Sequence, residues 1–283
     1  MNDEIEPYLK KYIDKLDNSK ISKALVYSLE GGKCIRGYIV KTIMESFNSD
    51  IFWEPIVAVE LLQAATLIID DLPSMDNDRY RRNKLSTFVV FGENETILTG
   101  FYMVSESLRL MNSKLMSIND ISKLKKTIDI LISEWTRLCG KELVIGQLMD
   151  LKINIEELLN IKLDLENNFN EQLMKYKTCS LFSFCFILGA IFSNITDDIN
   201  NNIEDFKNMG LYFGIMYQLT DDYKDRDEDN NFNNYIKALG VKKSIEKYKE
   251  CKNKLIVLLS KYNINKEKFN KLFKLLDNEF IKI

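Results

Sequence analysis

Apolar residues recur along the chain at spacings of three and four, the period at which side chains share one face of an α-helix. Clear examples are IVAVELLQAATLIID at residues 56–70 and LIVLLSKYNI at residues 255–264. No run of the two-residue alternation that marks a half-buried strand stands out. The pattern predicts an all-α fold, with helices over residues 4–16, 19–30, 34–48, 54–72, 87–111, 120–138, 141–150, 168–192, 203–224, 240–261 and 266–281.

Two of these predicted helices, those ending near Asp70 and Asp221, are apolar almost all round, which is typical of the central members of a helical bundle. Their inner ends can line an apolar pocket. No linker divides the helices, so residues 1–283 are predicted to form a single domain. The longest apolar run, Cys179–Phe192, is shorter than the ~18–20 residues that span a bilayer. It predicts a buried core helix, and no transmembrane segment is expected.

Composition narrows the possible functions. A net charge of -3 gives no reason to expect nucleic acid or an anionic membrane as a partner. The N-terminal segment MNDEIEPYLKKYIDK resembles neither a signal peptide nor a transit peptide, so a cytoplasmic protein is expected. The chain has no histidine, and its five cysteines form no CxxC pair. Ser-His and Cys-His nucleophilic pairs are therefore excluded, and the chemistry must use carboxylates and cations.

The first cluster of carboxylates follows the apolar helix that ends near residue 70. Asp70 and Asp71 stand at its C-terminal end, where the helix dipole disfavours negative charge and a cation is needed. Pro73 ends the helix, so the chain can turn back and bring Asp76 near Asp70. Carboxylate oxygens are the hard ligands that Mg²⁺ prefers.

A second cluster, Asp221, Asp222 and Asp225, closes another long apolar helix. Asp221 and Asp225 are four residues apart, so they share one helical face and can hold a metal ion. A single acidic pair in a chain with 42 acidic residues is usually solvated surface, as we expect for Asp197 and Asp198. Two clusters that each end a buried helix favour a site.

Basic residues near these clusters could bind a diphosphate, whose negative charges need protein cations as well as metal. Lys33 and Arg36 lie one helical turn apart behind Gly31 and Gly32, which should break the chain so that the next helix offers free N–H groups to an anion. Further candidates are Arg81, Arg82, Lys177 and Thr178.

Together these motifs resemble the trans-prenyl diphosphate synthases, especially the geranylgeranyl and bacterial farnesyl diphosphate synthases, over about residues 28–240. GGKCIR stands for the family's GGKRxRP and IIDDLPSMDNDRYRRN for HDDLPxMDNDDLRRG. VVFGENETILTG, GQLMDL, YKTCSLF and YQLTDDYKD continue the resemblance in the family's order.

The resemblance implies an isoprenoid synthase-type bundle around a deep central pocket, usually a homodimer, with three Mg²⁺ ions bridging the acidic motifs to an allylic prenyl diphosphate. It implies metal ligands at Asp70, Asp76, Asp221 and Asp225, with Asp71 and Asp222 as ligands or as supports of the ligands. It implies an allylic diphosphate site at Arg81, Lys177, Thr178 and Gln218, and an isopentenyl diphosphate site at Lys33, Arg36 and Arg82, with Gln63 where the family has a histidine. Catalysis is expected from Asp70, Asp71, Asp76, Asp221, Asp222 and Lys177.

Several other positions also depart from the family's pattern: Cys34 replaces an Arg, Ile69 a His, Arg79 an acidic residue, Phe101 an Asp and Phe232 a phosphate-binding Lys. Three functions follow from this. The first is condensation of an allylic diphosphate with isopentenyl diphosphate, which the retained basic residues favour. The second is a class I terpene synthase that cyclises a prenyl diphosphate without isopentenyl diphosphate. The third is a non-catalytic subunit of a heteromeric prenyl synthase, which the intact acidic clusters disfavour.

Product length is expected to depend on side chains one helical turn before Asp70. Ala65 and Thr66 are small and would leave the pocket floor open, while Tyr102 or Met103 on a neighbouring helix could close it further down. The sequence therefore predicts geranylgeranyl diphosphate as the product.

Overall fold

The apolar periodicity forms helices over most of the chain. The computed structural model describes residues 1–47, 49–116, 119–151, 165–193, 199–227 and 234–280. The helices are α1 (Asn2–Ile13), α2 (Lys20–Leu29), α3 (Ile35–Ser46), α4 (Trp53–Asp70), α5 (Thr87–Phe91), α6 (Glu93–Leu115), α7 (Ile121–Glu134), α8 (Leu143–Asp150), α9 (Leu165–Met174), α10 (Ser180–Ile191), α11 (Ile199–Lys224), α12 (Tyr235–Leu239), α13 (Val241–Lys261) and α14 (Lys266–Phe280). The all-α prediction is confirmed.

Two wide helical turns interrupt the α-helical geometry. Trp135–Glu142 is π-helical and joins α7 to α8 without a break, so the predicted separation of helices 120–138 and 141–150 is wrong. Lys175–Cys179 is also π-helical and joins α9 to α10, inside the predicted helix 168–192. Such turns insert an extra residue into the hydrogen-bonded ladder and are frequent at functional sites.

A small hairpin was not predicted. Strand β1 (Tyr80–Arg81) pairs antiparallel with β2 (Lys84–Leu85), opposing Tyr80 to Leu85 and Arg81 to Lys84. The two turn residues, Arg82 and Asn83, have φ angles of 56° and 62°, the left-handed conformation that a two-residue type I′ turn requires at both positions. Strands of two residues are too short to show alternation, which explains why the sequence pattern missed them.

The chain divides into two compact units. Unit 1 comprises Met1–Lys41 and Asp50–Ile128, and unit 2 comprises Thr42–Ser49 and Asp129–Ile283. In unit 1, α4 packs against α6, where a Cβ added at Gly100 would lie 3.0 Å from the Ile69 side chain. In unit 2, α11 packs against α10 and α13, and the Phe182 and Phe213 rings meet edge to face at 5.0 Å.

The predicted core helix is buried throughout: every residue of α10 lies in the interior. Among the described residues, one helical stretch, Phe169–Ile191, is long and apolar enough to cross a membrane, and 78% of its most apolar window is buried inside the protein. Burial of that extent is usual for the core helix of a globular protein.

Candidate active site

The first acidic segment begins where α4 ends. Asp70 is the last residue of α4, and the backbone N–H of Asp76 donates to the Asp70 carbonyl at 2.9 Å. The chain therefore turns back after Pro73, as predicted, and returns to the helix end within six residues. Asn77 takes a φ of 56°, which directs the chain into the hairpin that carries Arg81 and Arg82. The prediction that Asp70 and Asp76 bind metal remains a prediction.

Asp71 and Arg81 form an ion pair. Arg81 donates from Nε at 2.9 Å and from Nη2 at 2.5 Å to Oδ1 of Asp71, whose side chain is only 2% exposed. Burial raises the pKa of Asp71, and the hydrogen bond and charge of Arg81 oppose that rise. A second carboxylate, Asp78, lies 3.3 Å from Arg81 and is largely exposed. The buried Asp71 carboxylate therefore supports Arg81.

Arg82, in the turn of the hairpin, contacts the loop that contains Gly31 and Gly32. Arg82 Nη1 donates to the carbonyls of Glu30, at 3.0 Å, and Ser28, at 3.4 Å, at the C-terminal end of α2, where a cation is favoured by the helix dipole. Its side chain covers the glycine loop, since a Cβ added at Gly32 would lie 3.2 Å from Arg82 Nη1. Within unit 1 the structure thus brings Arg82 beside the loop that leads to Lys33 and Arg36.

A buried carboxylate on α4 contacts the start of α3, and the sequence interpretation missed it. Glu60 of α4 accepts the backbone N–H of Gly37 at 2.7 Å. Burial raises the pKa of Glu60, whereas the Gly37 hydrogen bond and the charges of Arg36 and Arg82 lower it. The prediction that the start of α3 offers free N–H groups to an external anion is wrong at Gly37, because Glu60 supplies the anion. A lone glutamate in the apolar segment IVAVELLQAA is the signal that could have identified it.

The remaining predicted residues of unit 1 differ in exposure. Lys33 is exposed, whereas Arg36 and Gln63 are partly buried. Of the predicted pocket residues, Ala65 is 2% exposed, and the Thr66 hydroxyl donates to the Gln63 carbonyl at 2.9 Å.

The two candidates for closing the pocket floor also differ. Met103 is fully buried and receives a long hydrogen bond from the Ser28 hydroxyl, at 3.8 Å from its sulfur. Tyr102 is 38% exposed and lies near Tyr12 of α1. Only Met103 therefore belongs to the core of unit 1.

In unit 2, three predicted site residues form a chain of hydrogen bonds. The Thr178 hydroxyl donates to Gln218 Oε1 at 2.5 Å, and Gln218 Nε2 donates to Asp222 Oδ1 at 2.7 Å. The other Asp222 oxygen accepts the backbone N–H of Tyr235 at 2.7 Å. Burial raises the pKa of Asp222 to about 6 despite the hydrogen bonds from Gln218 and Tyr235. Asp222, like Asp71, is thus engaged by protein donors.

The first aspartate of the second pair has a different neighbour. Lys224 Nζ lies 3.6 Å from Asp221 Oδ1 and also contacts Glu279 of α14. Burial alone would lower the pKa of Lys224, but the hydrogen bond to Glu279 and the charge of Asp221 outweigh it and raise the pKa. Asp225 is exposed and begins a short 3₁₀ turn directly after α11 ends at Lys224. Lys224 and Glu279 were not predicted, because ion pairs across helices leave no local sequence pattern.

Lys177 and Thr178 lie in the second π-helical turn. Lys177 forms an ion pair with Asp150 at the end of α8, a residue of the GQLMDL segment to which the sequence interpretation gave no role. Gly146 of α8 makes this approach possible, since a Cβ added there would lie 2.4 Å from the Lys177 backbone nitrogen. The π-helical turn therefore presents Lys177 and Thr178 from a segment that is clamped against α8.

No three acidic or thiol side chains in the described parts of the chain lie together closely enough to form a ready-made metal site. Metal binding by Asp70, Asp71, Asp76, Asp221, Asp222 and Asp225 therefore stays a prediction. Of the departures from the family's pattern, Cys34 is buried with a φ of 51° and donates to Asn2 Oδ1 at 3.1 Å, and Phe101 is 75% exposed. Phe232 lies outside the described residues.

Comparisons with known proteins agree with the resemblance. A family model described as polyprenyl synthetase matches residues 18–274. The farnesyl diphosphate synthase of Bacillus subtilis is 34% identical over 226 residues, covering 78% of this chain and 72% of the relative. The farnesyl diphosphate synthase of Buchnera aphidicola from Schizaphis graminum is 31% identical over 273 residues, covering 88% and 86%. A crystal structure of a geranyltransferase from Legionella pneumophila, 24% identical, superposes with a TM-score of 0.79 over 98% of this chain and 94% of that one, and so shares the fold.

Proposed function

Because the chain belongs to the polyprenyl synthetase family and is a trans-prenyltransferase, we propose that it condenses an allylic prenyl diphosphate with isopentenyl diphosphate to give geranylgeranyl diphosphate. The observation that carries this proposal is the cationic cluster of unit 1. Arg36 and Arg82 both act on the Glu60 carboxylate, and Lys33, three residues before Arg36, is exposed. The residues of this cluster differ from those of the Lys177–Thr178–Gln218 group, so the chain has two sets of candidate diphosphate-binding residues. Condensation needs sites for two diphosphates, whereas cyclisation needs one.

Each group of site residues has its own proposed role. The carboxylates of Asp70, Asp76, Asp221 and Asp225 have the hard oxygen donors that suit Mg²⁺, and three ions are expected by resemblance to the family. When bound, Mg²⁺ supplies Lewis-acid stabilisation of the departing diphosphate. Lys177 and the amide of Gln218 bind the allylic diphosphate by charge and hydrogen bonding. Asp71 holds Arg81 in position to bind the same allylic diphosphate.

Departure of the diphosphate leaves a cationic allylic carbon, which the double bond of isopentenyl diphosphate attacks to form the new carbon–carbon bond. A proton is then lost, and the released diphosphate is the proposed acceptor. Basic residues that bind the leaving group stabilise the charge that develops on it in the transition state. Lys33, Arg36 and Arg82 hold isopentenyl diphosphate, with Gln63 donating a hydrogen bond where the family has a histidine.

We also propose a cytoplasmic homodimer. An apolar stripe on α6 supports the dimer: Ile97, Leu98 and Phe101 are 48%, 60% and 75% exposed and share one face of the helix. A continuous apolar stripe on a surface helix is typical of an interface with another chain. The exposed Phe101 extends this stripe at the position where the family has an aspartate.

The test is an assay of the purified protein with Mg²⁺, farnesyl diphosphate and isopentenyl diphosphate, with products identified by mass. We expect both substrates to be consumed in equal amounts, a C20 diphosphate to form, and little reaction of farnesyl diphosphate alone. Asp221→Ala should lower the rate at least about 100-fold, as losses of charge-stabilising groups commonly do. The exposed Asp129→Ala on α7 is the matched control and should leave the rate unchanged.

Two results would refute condensation. Hydrocarbons or alcohols formed from the allylic substrate alone would identify a terpene synthase. No turnover in either assay, with no difference between the unmodified protein and Asp221→Ala, would indicate a non-catalytic subunit. A shorter or longer diphosphate would retain condensation and correct only the product.

A further inference from the structure

The hydrogen-bond chain of unit 2 has a direction. It runs from the Thr178 hydroxyl through the Gln218 amide to the Asp222 carboxylate, with donor–acceptor distances of 2.5 and 2.7 Å. The far end is also held, because the second carboxylate oxygen of Asp222 accepts the Tyr235 N–H at 2.7 Å. Asp222 is 8% exposed, whereas Gln218 is partly exposed and can reach a ligand.

A carboxylate can only accept hydrogen bonds, whereas an amide has one donating and one accepting end. Asp222 therefore forces the nitrogen of Gln218 to face it, and the amide oxygen must face Thr178. Since the amide oxygen cannot donate, the hydroxyl of Thr178 has to supply its hydrogen to Gln218. The hydroxyl oxygen then offers only lone pairs to any ligand. One N–H of Gln218 is used by Asp222, and the second remains as a donor of fixed direction.

We propose that Asp222 is a positioning residue that orients the Gln218 amide, so that its second N–H is the donor offered to an anionic diphosphate. The proposal deepens the proposed function, on which it rests, and it revises the expected role of Thr178. In place of donating to the diphosphate, Thr178 supports the amide oxygen of Gln218. Asp222 acts through Gln218 and does not itself touch the ligand.

The two oxygens of Asp222 accept different hydrogen bonds, which allows the positioning role to be distinguished from a structural one. Oδ2 holds the start of α12 through Tyr235, while Oδ1 orients Gln218. In Asp222→Asn, the amide oxygen can still accept the Tyr235 N–H. The new amide nitrogen must then face Gln218, which has to turn over and present its oxygen there. The second N–H of Gln218 is thereby directed away from its original position.

Binding of inorganic diphosphate in the presence of Mg²⁺, measured by calorimetry, reports on this donor without any turnover. A hydrogen bond to a charged group contributes about 1.5–3 kcal/mol, so Asp222→Asn should weaken diphosphate binding roughly 10- to 100-fold. In the assay, the KM for the allylic substrate should rise while the KM for isopentenyl diphosphate stays the same. Gln218→Leu should weaken diphosphate binding to a similar extent.

The decisive measurement is the double variant. If Asp222 acts through Gln218, adding Asp222→Asn to Gln218→Leu should cause no further loss of binding. If Asp222 acts through its charge on nearby metal ions, its loss should weaken binding equally with and without the glutamine, which would overturn the proposal. The control is Asn234→Ala, which removes the cap that Asn234 provides to Lys237 in α12 and its bond to the Asp222 carbonyl. It should lower the melting temperature and leave diphosphate binding unchanged.

The outcomes separate this proposal from the proposed function. Failure of the unmodified protein to condense its substrates, together with a Gln218-dependent effect of Asp222→Asn on diphosphate binding, would refute the function and retain the positioning role. Normal condensation by the unmodified protein, together with undiminished diphosphate binding in Asp222→Asn, would retain the function and refute the positioning role. An equal loss in Asn234→Ala, or no diphosphate binding by the unmodified protein, would overturn the positioning role.

Discussion

Asp71 shows how one aspartate of an acidic pair can bond to protein groups in place of a ligand. It directly follows Asp70, and successive residues at the end of a helix point about 100° apart, so the two carboxylates face different surroundings. The Asp71 side chain is 2% exposed and receives two hydrogen bonds from Arg81. Asp222 shows the same behaviour beside Asp221, with Gln218 and Tyr235 as its donors. In both pairs the second aspartate is the buried one.

The Asp71–Arg81 pair should contribute measurably to stability. Asp71→Asn leaves a partly buried guanidinium without its charged partner, and we expect the free energy of unfolding to fall by about 1.5–3 kcal/mol, as for hydrogen bonds to charged groups. Urea denaturation of Asp71→Asn, Arg81→Gln and the double variant would give the coupling energy between the two side chains. We expect that coupling to exceed about 1 kcal/mol.

Asp78→Asn provides the matched control, because Asp78 also contacts Arg81, at 3.3 Å, and its side chain is 54% exposed. Exposed ion pairs contribute about 0–1 kcal/mol, so this variant should change stability little. Equal losses in Asp71→Asn and Asp78→Asn would show that the burial of Asp71 adds nothing.

Residue types and spacing identified Arg81 and Gln218 as candidates, but they did not predict that these side chains bond to Asp71 and Asp222. Identical neighbours such as Asp70 and Asp71 cannot be distinguished by composition, because their difference arises from the direction in which each leaves the helix. Glu60 shows the opposite case. Its position within an apolar helix is a signal of burial that was not used, and its partner, the Gly37 N–H, lies 23 residues away and depends on how α3 meets α4.

At the scale of elements, close backbone contacts shape the segment that carries Lys177 and Thr178. Gly146 of α8 meets the backbone of Lys177, and Gly214 of α11 meets Cys179, where an added Cβ would lie 2.7 Å from the Cys179 Cα. The π-helical turn Lys175–Cys179 is thus enclosed by glycines on two helices. The absence of side chains at these glycines lets the helices approach closely enough for Lys177 to reach Asp150.

Gly146→Ala should disturb this clamp. The added methyl would lie 2.4 Å from the Lys177 nitrogen and 2.6 Å from its Cα, and backbone atoms cannot move aside as a flexible side chain can. Overpacking of this kind typically costs about 1–3 kcal/mol. We expect a loss of stability in that range by urea denaturation and a higher KM for the allylic substrate, because Lys177 is displaced.

Gly140→Ala is the corresponding control in the other π-helical turn. The nearest neighbour of its added Cβ would be the Trp135 carbonyl oxygen at 4.0 Å, which is ordinary contact. Since alanine is favoured over glycine in helices by roughly 0.5–1 kcal/mol, this variant should be neutral or more stable. A neutral Gly146→Ala would contradict the proposed clamp.

Periodicity predicted the existence of most helices because each long apolar face requires a partner to cover it. It could not predict the two π-helical turns, which differ from α-helix by one residue and depend on the neighbouring elements. Gly92, with a φ of 103°, also divides the predicted helix 87–111 into α5 and α6. The hairpin turn requires left-handed conformations at Arg82 and Asn83. Of these two residue types only asparagine favours that conformation, so the sequence gives little indication of the turn.

For the whole molecule, the all-α class and the family were predictable because the evidence for both is distributed along the chain. The motifs occur in the family's order, and the family model extends over residues 18–274. The division into two compact units was not predicted, because two of its three boundaries fall inside helices, at Lys41 in α3 and at Ile128 in α7, and the third lies between Ser49 and Asp50. Composition along the chain does not change at these points, so no linker marks them.

The apolar stripe of α6 gives a prediction about assembly. If it forms the homodimer interface, the unmodified protein should have a mass in solution of twice 33.1 kDa by light scattering at micromolar concentration. Leu98→Glu should shift it to the monomer, because an unpaired charge buried in an interface costs several kcal/mol. Folding should be unaffected, since Leu98 is 60% exposed within the single chain and glutamate is a good helix former.

Val257→Glu is the matched control, placing the same charge on a residue that is 66% exposed on α13 in unit 2. It should leave the dimer intact, so the comparison separates the stripe from exposed apolar surface in general. The circular dichroism spectrum and melting temperature should confirm that both variants fold like the unmodified protein. A monomeric unmodified protein, or a Leu98→Glu variant as dimeric as Val257→Glu, would show that α6 is not the interface, and the exposure of Ile97, Leu98 and Phe101 would then require a different partner.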